Sequence, residues 1–317
     1  MLLRIKGLLP APMLAPLLLF ASLPLWIRAV GLYPYLGVEV MIWIIYALGF
    51  NLLLGYAGLP SFGHGAFFGV GAYAFGLCQL NFSSNLWICL AAAVLAGALT
   101  GALVASFISH RRGIYYALLT IAFGQIFWFV AIKWHSVTRG EDGLLNIKRA
   151  TALGVSLDRL ENLYYFCFAV FAVVLVLLWR LVRAPFGRVL NAIRQNETRA
   201  RFVGYNVWLY KWLAFVISTL IAGLAGGLFA LAQQSAYPNV MSLHQSGFVV
   251  MMALVGGGLV SFWGPVIGAV LFFLARDLLG AYTEAWLLWY GLLFMAIVLF
   301  RPEGLAGIFH VRSKPAA

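Results

Sequence analysis

The sequence predicts an all-α integral membrane protein, a polytopic bundle of about ten transmembrane segments. Three observations support this fold class. The 317 residues are 64% hydrophobic and only 9% charged, which is too little charge to cover the surface of a soluble domain of this size. Apolar runs near the length that crosses a bilayer, about 20 residues, recur along the whole chain. Lysine and arginine concentrate in the connections on one side of these runs.

Ten apolar runs approach the length of a membrane span, and they are Pro12–Val30, Leu36–Ala57, Ala66–Leu80, Leu86–Ser109, Ile114–Lys133, Leu163–Leu181, Leu209–Ala232, Ser246–Val260, Pro265–Leu279 and Ala285–Phe300. The first run follows Arg4 and Lys6, as a signal peptide would. It lacks a clear small-x-small cleavage site, so we expect a retained span. The third, eighth and ninth runs are short and interrupted by glycine. They indicate either discontinuous helices along a solute path or helices that pack closely.

The distribution of charge predicts the orientation. An even number of spans places both termini on one side, and the whole net charge of +12 then falls on that side, while acids balance bases on the other. The side with excess lysine and arginine is expected to be cytoplasmic. Two polar loops interrupt a single transmembrane domain, residues 1–317. They are Trp134–Asn162 on the outer side and the strongly basic Val182–Trp208 on the cytoplasmic side.

The basic loop contains a predicted amphipathic helix, Ala184–Tyr205. Apolar residues recur there at helical spacing while arginines occupy the other faces, and Glu197 can pair with Arg194 and Arg201. One interpretation is a basic helix that rests on anionic lipid. The other is a docking helix for a cytosolic partner, and the residues alone leave both interpretations open.

Two glycine-rich segments carry the remaining candidates for a functional site. The first contains Asn51, Ser61 and His64 at or near membrane depth, where polar side chains usually face a cavity or another helix. His64 could serve as a proton carrier or as a hydrogen-bonded packing histidine. The second segment contains three consecutive glycines, 256–258, which are tolerated where protein covers the backbone or where it lines a cavity. Gln125, inside a predicted span, could line a path or join helices.

Several motifs are absent from the sequence. It lacks the P-loop, H-E-x-x-H and G-x-S-x-G patterns, and its three cysteines lack metal-ligand spacing. We therefore expect no cofactor, no metal and no catalytic site, and the net charge fits a membrane face better than nucleic acid. Charged residues are nearly lacking within the spans, which argues against a proton-coupled carrier. Transport would then be passive or powered by another subunit.

The sequence resembles the membrane subunits of ATP-binding-cassette importers for branched-chain amino acids, over nearly the whole chain. The family signature is similar to Leu48–Tyr73 (LGFNLLLGYAGLPSFGHGAFFGVGAY). Arg112–Gln125 (RGIYYALLTIAFGQ) resembles the M-type member of the two paralogous permeases. Pro185–Ser218 (PFGRVLNAIRQNETRARFVGYNVWLYKWLAFVIS) resembles the family's cytoplasmic coupling segment. The motifs GGGLVSFWGPVIGA and FRPEGLAG near the end also fit.

This resemblance implies a permease subunit in the cytoplasmic membrane of a bacterium or archaeon. Its implied partners are a second, paralogous permease, two cytosolic ATPases and a periplasmic substrate-binding protein. The ATPase-coupling residues would be Arg188, Arg194, Asn196, Glu197, Ala200 and Gly204. The hypothesis for the translocation path or its gate comprises Asn51, Ser61, His64, Gly65, Gln125, Gly256, Gly257 and Gly258. Related permeases for urea, short amides or aromatic acids, a stand-alone channel or secondary carrier, and an intramembrane enzyme are the alternatives.

Overall fold

The computed structural model of the chain describes residues 11–27, 31–149, 151–152, 154–257, 261–300 and 304–306. The helices are α1 Ala11–Trp26, α2 Tyr35–Asn51, α3 Gly65–Asn81, α4 Leu86–Ile108, α5 Gly113–Lys133, α6 Leu160–Arg183, α7 Pro185–Gln195, α8 Glu197–Phe202, α9 Val207–Gln233, α10 Leu243–Gly257, α11 Gly264–Gly280 and α12 Trp286–Phe300. A π-helix, Leu52–Ala57, continues α2, and short helical turns occupy His135–Thr138, Gly140–Asp142 and Pro238–Met241.

The all-α polytopic membrane class is confirmed. Each of the ten predicted runs corresponds to one apolar helix, and α7 and α8 lie in the basic loop. Five helical segments of the described chain are long and apolar enough to cross a membrane: Tyr35–Ala57, Leu86–Ile108, Gly113–Lys133, Leu160–Arg183 and Val207–Gln233. The other apolar helices are shorter than the roughly 20 residues that a span needs. The number of ten spans therefore stays a prediction.

Helix α2 is the centre of the bundle. Of its 17 residues, all but Tyr35 and Glu39 are buried. It packs against α6, α9, α10 and α11, while α9 also packs along α3 and α4. A helix that is apolar on every side is expected in the interior of a bundle. The segment before the first glycine-rich motif is therefore the element around which the others assemble.

Glycine permits the closest helix contacts in this bundle. A Cβ atom at Gly71 of α3 would lie 2.2 Å from Gly223 O of α9, and one at Gly226 would lie 1.8 Å from Phe68 O. Real Cβ atoms essentially never approach within 3.0 Å of another heavy atom. The backbones of α3 and α9 therefore touch directly, as expected where small residues mediate helix packing in membranes.

The polar loop Trp134–Asn162 contains a small departure from the all-α prediction. Strands β1 (Thr151–Ala152) and β2 (Val155–Ser156) form an antiparallel hairpin, with Thr151 opposite Ser156. Gly154 has φ +83° in the turn, a conformation that glycine adopts without steric cost. Leu144 in the same loop forms backbone hydrogen bonds with Ala236, which follows α9. The loop is thereby fastened to the end of α9.

Candidate functional site

The basic connection, Val182–Trp208, folds as two helices rather than the single helix that its spacing predicts. Helices α7 and α8 separate at Asn196, whose backbone is extended (φ −158°, ψ 100°) and whose Oδ1 accepts a hydrogen bond from Arg199 N at 2.9 Å. Asparagine is favoured at this position because its side chain satisfies a free N–H group of the first helical turn. The prediction of one continuous helix is therefore wrong, and Asn196 caps α8.

Apolar side chains in α7 and in the middle of α8 are covered by the protein itself. Val189, Ile193 and Ala200 are buried in one small cluster with Val207 at the start of α9, and Tyr210 packs against it. An interfacial helix must instead insert its apolar face into lipid. These side chains are unavailable to lipid, so the packing counts against the interpretation of a helix resting on the bilayer.

Glu197 lies at the centre of an ion cluster that joins three elements. Its Oε2 is 2.8 Å from Arg112 Nε and 3.5 Å from Lys211 Nζ, and its Oε1 is 3.4 Å from Arg201 in the next turn. Lys211 Nζ also donates a hydrogen bond to Arg111 O at 2.6 Å. The Lys211 side chain is only 1% exposed and that of Glu197 13% exposed. The predicted pairing of Glu197 with Arg201 is confirmed, but the carboxylate faces the permease rather than solvent.

Arg194 joins the basic connection to the end of the central helix. Its guanidinium donates a hydrogen bond to Gly55 O in the π-helix. The last carbonyl groups of a helix lack partners within it, and a cation there is stabilised by the helix dipole. The Arg194 side chain also crosses Gly58, where φ is +68° and a Cβ atom would lie 2.9 Å from Arg194 Cγ. A glycine at this position satisfies both the backbone conformation and the close contact.

Three of the four remaining candidates for coupling face outward. Arg188, Asn196 and Gly204 are exposed, whereas Ala200 is buried. The end of α8 also exposes two apolar side chains that the sequence reasoning missed: Phe202 is 88% exposed and Val203 71% exposed. Their signal in the sequence was an apolar pair between Arg201 and Gly204 that breaks the polar side of the helix. The six predicted residues therefore separate into an outward set and an inward set.

The polar core surrounds His64 at the start of α3. His64 is fully buried, its Nε2 lies 3.0 Å from Ser218 Oγ of α9, and its Nδ1 lies 3.4 Å from Ser61 Oγ. Ser218 Oγ donates to Gly49 O at 2.7 Å. Aromatic rings pack around the imidazole, among them Tyr46 in a stacked arrangement. The structure thus favours the packing histidine over the proton carrier, because both ring nitrogens face hydroxyl groups of the protein.

Two further contacts connect the glycine-rich segments with α10 and the turn after it. Gly65 N donates to Ser246 Oγ of α10 at 2.9 Å. Asn51 Nδ2 donates to Ser261 O at 3.2 Å, just before α11. The side chains of Asn51 and Ser246 are almost completely buried. The polar groups predicted at membrane depth therefore join helices in this structure.

The second glycine-rich segment is a helix contact. A Cβ atom at Gly256 would lie 1.7 Å from Gly264 O, and one at Gly257 would lie 2.4 Å from Gly264 Cα. The backbones of α10 and α11 therefore meet where the sequence allowed either packing or a cavity. Gly258 lies outside the described residues. Gln125 is half-buried in α5, and within the described part of the chain it forms no hydrogen bond with the His64 cluster.

The described part of the chain contains no group of His, Cys, Asp and Glu residues that could hold a metal ion. Cys78, Cys89 and Cys167 are buried as free thiols. What the geometry offers is a bundle of closely packed helices with a buried polar core and one basic connection anchored to it. These features define a polytopic α-helical membrane protein of the kind that forms transport permeases.

Comparisons with known proteins give the family. The family model for "Branched-chain amino acid transport system / permease component" matches residues 34–301. The chain is 31% identical to the high-affinity branched-chain amino acid transport system permease protein LivM of Salmonella typhimurium, over 84% of this chain and 68% of the relative. It is 24% identical to a probable LivM of Methanocaldococcus jannaschii, over 84% and 92% of the two chains. No solved structure matches the chain significantly.

The chain therefore belongs to the family of branched-chain amino acid transport system permease components, within the permeases of ATP-binding-cassette importers. It is a multi-pass membrane protein with a role in transport rather than catalysis. The family resemblance stated from the sequence motifs is confirmed.

Proposed function

We propose that this chain is the permease subunit of an ATP-driven importer for branched-chain or related amino acids. The probable LivM and LivH of Methanocaldococcus jannaschii both resemble it, at 24% and 23% identity. That double similarity supports pairing with a second, related permease. Membership of the importer family supports two cytosolic ATPases and a periplasmic binding protein as the other partners. Other relatives are named as nucleoside and autoinducer 2 permeases, so the substrate is the part of the proposal that uptake must test.

The observation that carries the proposal is the basic connection, which is fixed on its inner side and apolar at its outer tip. Arg194 and Glu197 hold it against the bundle. Phe202 and Val203 project at the end of α8 beside exposed arginines. A cytosolic ATPase with an apolar cleft and acidic rim would cover them. Burying two such side chains would contribute about 2 kcal/mol each.

The basic end of the molecule supports the proposed orientation. Arg111, Arg112, Arg201 and Lys211 cluster around the basic connection. Connections rich in lysine and arginine remain in the cytoplasm during insertion. We therefore assign this end to the cytoplasmic side of the cytoplasmic membrane. With the predicted even number of spans, both termini lie on the same side.

Co-purification from native cells in mild detergent tests the proposal. The tagged wild-type chain is expected to bring an ATPase and a second permease, and vesicles with all subunits are expected to take up leucine, isoleucine or valine only with ATP. Phe202→Ser should lower the amount of ATPase recovered at least tenfold, about 1.4 kcal/mol. The matched control is Phe82→Ser, since Phe82 is 86% exposed in the α3–α4 turn. Leucine uptake by the isolated chain without ATP would contradict the proposal and favour a channel or carrier.

A further inference from the structure

We infer that Glu197 is a positioning residue inside the permease, which transmits movement of the basic connection to α5 and α9 and does not contact the ATPase. This inference rests on the proposed function and goes further, because it assigns the internal route of coupling. Glu197 resembles a docking carboxylate in the sequence, but its side chain is mostly buried against Arg112 and Lys211 of the permease.

The contacts around Glu197 fasten three separate parts of the chain. The carboxylate belongs to the first turn of α8, Arg112 is the residue immediately before α5, and Lys211 lies in the second turn of α9. Lys211 of α9 also donates a hydrogen bond to Arg111 O in the α4–α5 connection, and the same ammonium group pairs with Glu197. The α4–α5 connection is therefore held to α9 both directly and through Glu197. Glu197 is thus the common partner of groups that belong to different helices.

The burial of Lys211 explains why the permease itself needs the Glu197 carboxylate. An ammonium group that is 1% exposed is costly unless a nearby anion and hydrogen-bond acceptors compensate it. Glu197 supplies the negative charge and Arg111 O the acceptor. A basic residue of a partner would have to compete with Arg112, Arg201 and Lys211 for the same two oxygens. That competition makes Glu197 a poor docking group.

Helix α5 continues the route from Glu197 to the polar core. About two turns beyond its start, Thr120 Oγ1 accepts a hydrogen bond from Phe62 N at 3.1 Å. A Cβ atom at Gly63 would lie 1.8 Å from Thr120 O, and Gly124 approaches the same glycine. A displacement of α5 therefore has to move residues 62–63, which immediately precede His64. The second contact, Arg194 with Gly55 O, reaches the same segment from its other end.

The experiment compares Glu197→Gln with Glu141→Gln, a matched acid-to-amide change in the loop Trp134–Asn162, where Glu141 is exposed. Hydrogen exchange of the isolated permease is measured first. We expect exchange in the second turns of α5 and α9 to rise at least fivefold in Glu197→Gln and to be unchanged in the control. In the assembled transporter, ATPase recovery should stay within twofold of wild type, while leucine taken up per ATP hydrolysed falls at least tenfold.

A second variant separates misfolding from lost coupling. Glu197→Gln leaves Lys211 buried without its carboxylate, whereas Glu197→Gln/Lys211→Met removes both charges. We expect the double variant to recover the yield of folded protein but not the transport per ATP. Recovery of both, unchanged hydrogen exchange, or loss of ATPase binding in both variants would overturn the inference. Failure of the wild-type chain to bind any ATPase would instead refute the proposed function, and hydrogen exchange would still decide whether Glu197 holds α5 and α9.

Discussion

Substitution of Gly256 by alanine should destabilise the protein strongly, whereas the same substitution at Gly247 should not. Both glycines lie in α10, so the two substitutions make the same chemical change in the same helix. The added Cβ atom at Gly256 would lie 1.7 Å from Gly264 O, while at Gly247 it would meet no atom within 4 Å apart from its chain neighbours and the backbone of its own helix. The pair therefore isolates the contact between α10 and α11 from the helix propensity of the residue.

The magnitude follows from the overlap. Contacts closer than 3.0 Å are essentially never observed for a Cβ atom, so α10 and α11 must separate by more than 1 Å at this point. A radial gap of about 0.5–1 Å already forfeits a quarter to a half of each dispersion contact. Overpacking of this kind costs about 1–3 kcal/mol, and a clash with rigid backbone belongs at the upper end. Alanine recovers at most about 1 kcal/mol of helix propensity. We expect a net loss of about 2 kcal/mol at Gly256 and a small gain at Gly247.

The two purified variants can be unfolded reversibly in mixed micelles by raising the fraction of sodium dodecyl sulfate. This titration measures the difference in the free energy of unfolding between Gly256→Ala and Gly247→Ala. Folded protein in each sample can be quantified by tryptophan fluorescence, since Trp263 precedes α11 and Trp286 opens α12. The reasoning would be refuted if Gly256→Ala and Gly247→Ala unfolded at the same detergent fraction. A loss at Gly247 alone would show that the helices meet on the opposite face of α10.

Further predictions concern buried polar contacts. Ser218→Ala removes the partner of both His64 Nε2 and Gly49 O, and it should lower the free energy of unfolding by about 2 kcal/mol. The control is Thr100→Val, which removes a hydrogen bond to Ala96 O within one helix and should lower the free energy of unfolding by less than half as much. Glu39→Gln removes a carboxylate that accepts two hydrogen bonds of 2.9 Å from Arg276, while Asp277 still pairs with the same guanidinium at 3.0 Å, so we expect a loss of about 2 kcal/mol. The double variant Glu39→Gln/Arg276→Gln should lose less than the sum of the single variants, and additive losses measured by the same titration would contradict a direct pair.

The sequence determined the fold class and the order of helices well, because hydropathy depends only on composition along the chain. It could not distinguish packing from a cavity at Gly256 and Gly257, since both environments tolerate bare backbone. The π-helix at Leu52–Ala57 was also missed. Its register depends on tertiary contacts between residues that lie far apart in sequence, such as the hydrogen bond from the Arg194 guanidinium to Gly55 O.

The assignment of a coupling role to the segment Val182–Trp208 stays a prediction, but the directions in which its side chains point could not be read from the sequence. Helical spacing placed Arg194 and Glu197 on a polar face, and the polar face of an isolated helix is expected to face solvent. In the folded chain, that face meets Arg112, Lys211 and the end of α2, none of which is local in sequence. A lone lysine in the first turns of a long apolar helix was the available signal that an acid would be required nearby. Whether the outward residues contact a partner stays a prediction.

The burial of α2 has a consequence for how the chain is made. Membrane helices leave the ribosome in order, and the neighbours that enclose α2, namely α6, α9, α10 and α11, are all synthesised after it. For most of translation, α2 must therefore wait among lipids or insertion factors with Asn51 at its end and with every side apolar enough to be tolerated there. Apart from Glu39 and Asn51, its hydrophobicity thus serves the nascent chain as well as the finished bundle, and a further polar substitution on α2 would impair insertion before the helices that enclose it exist.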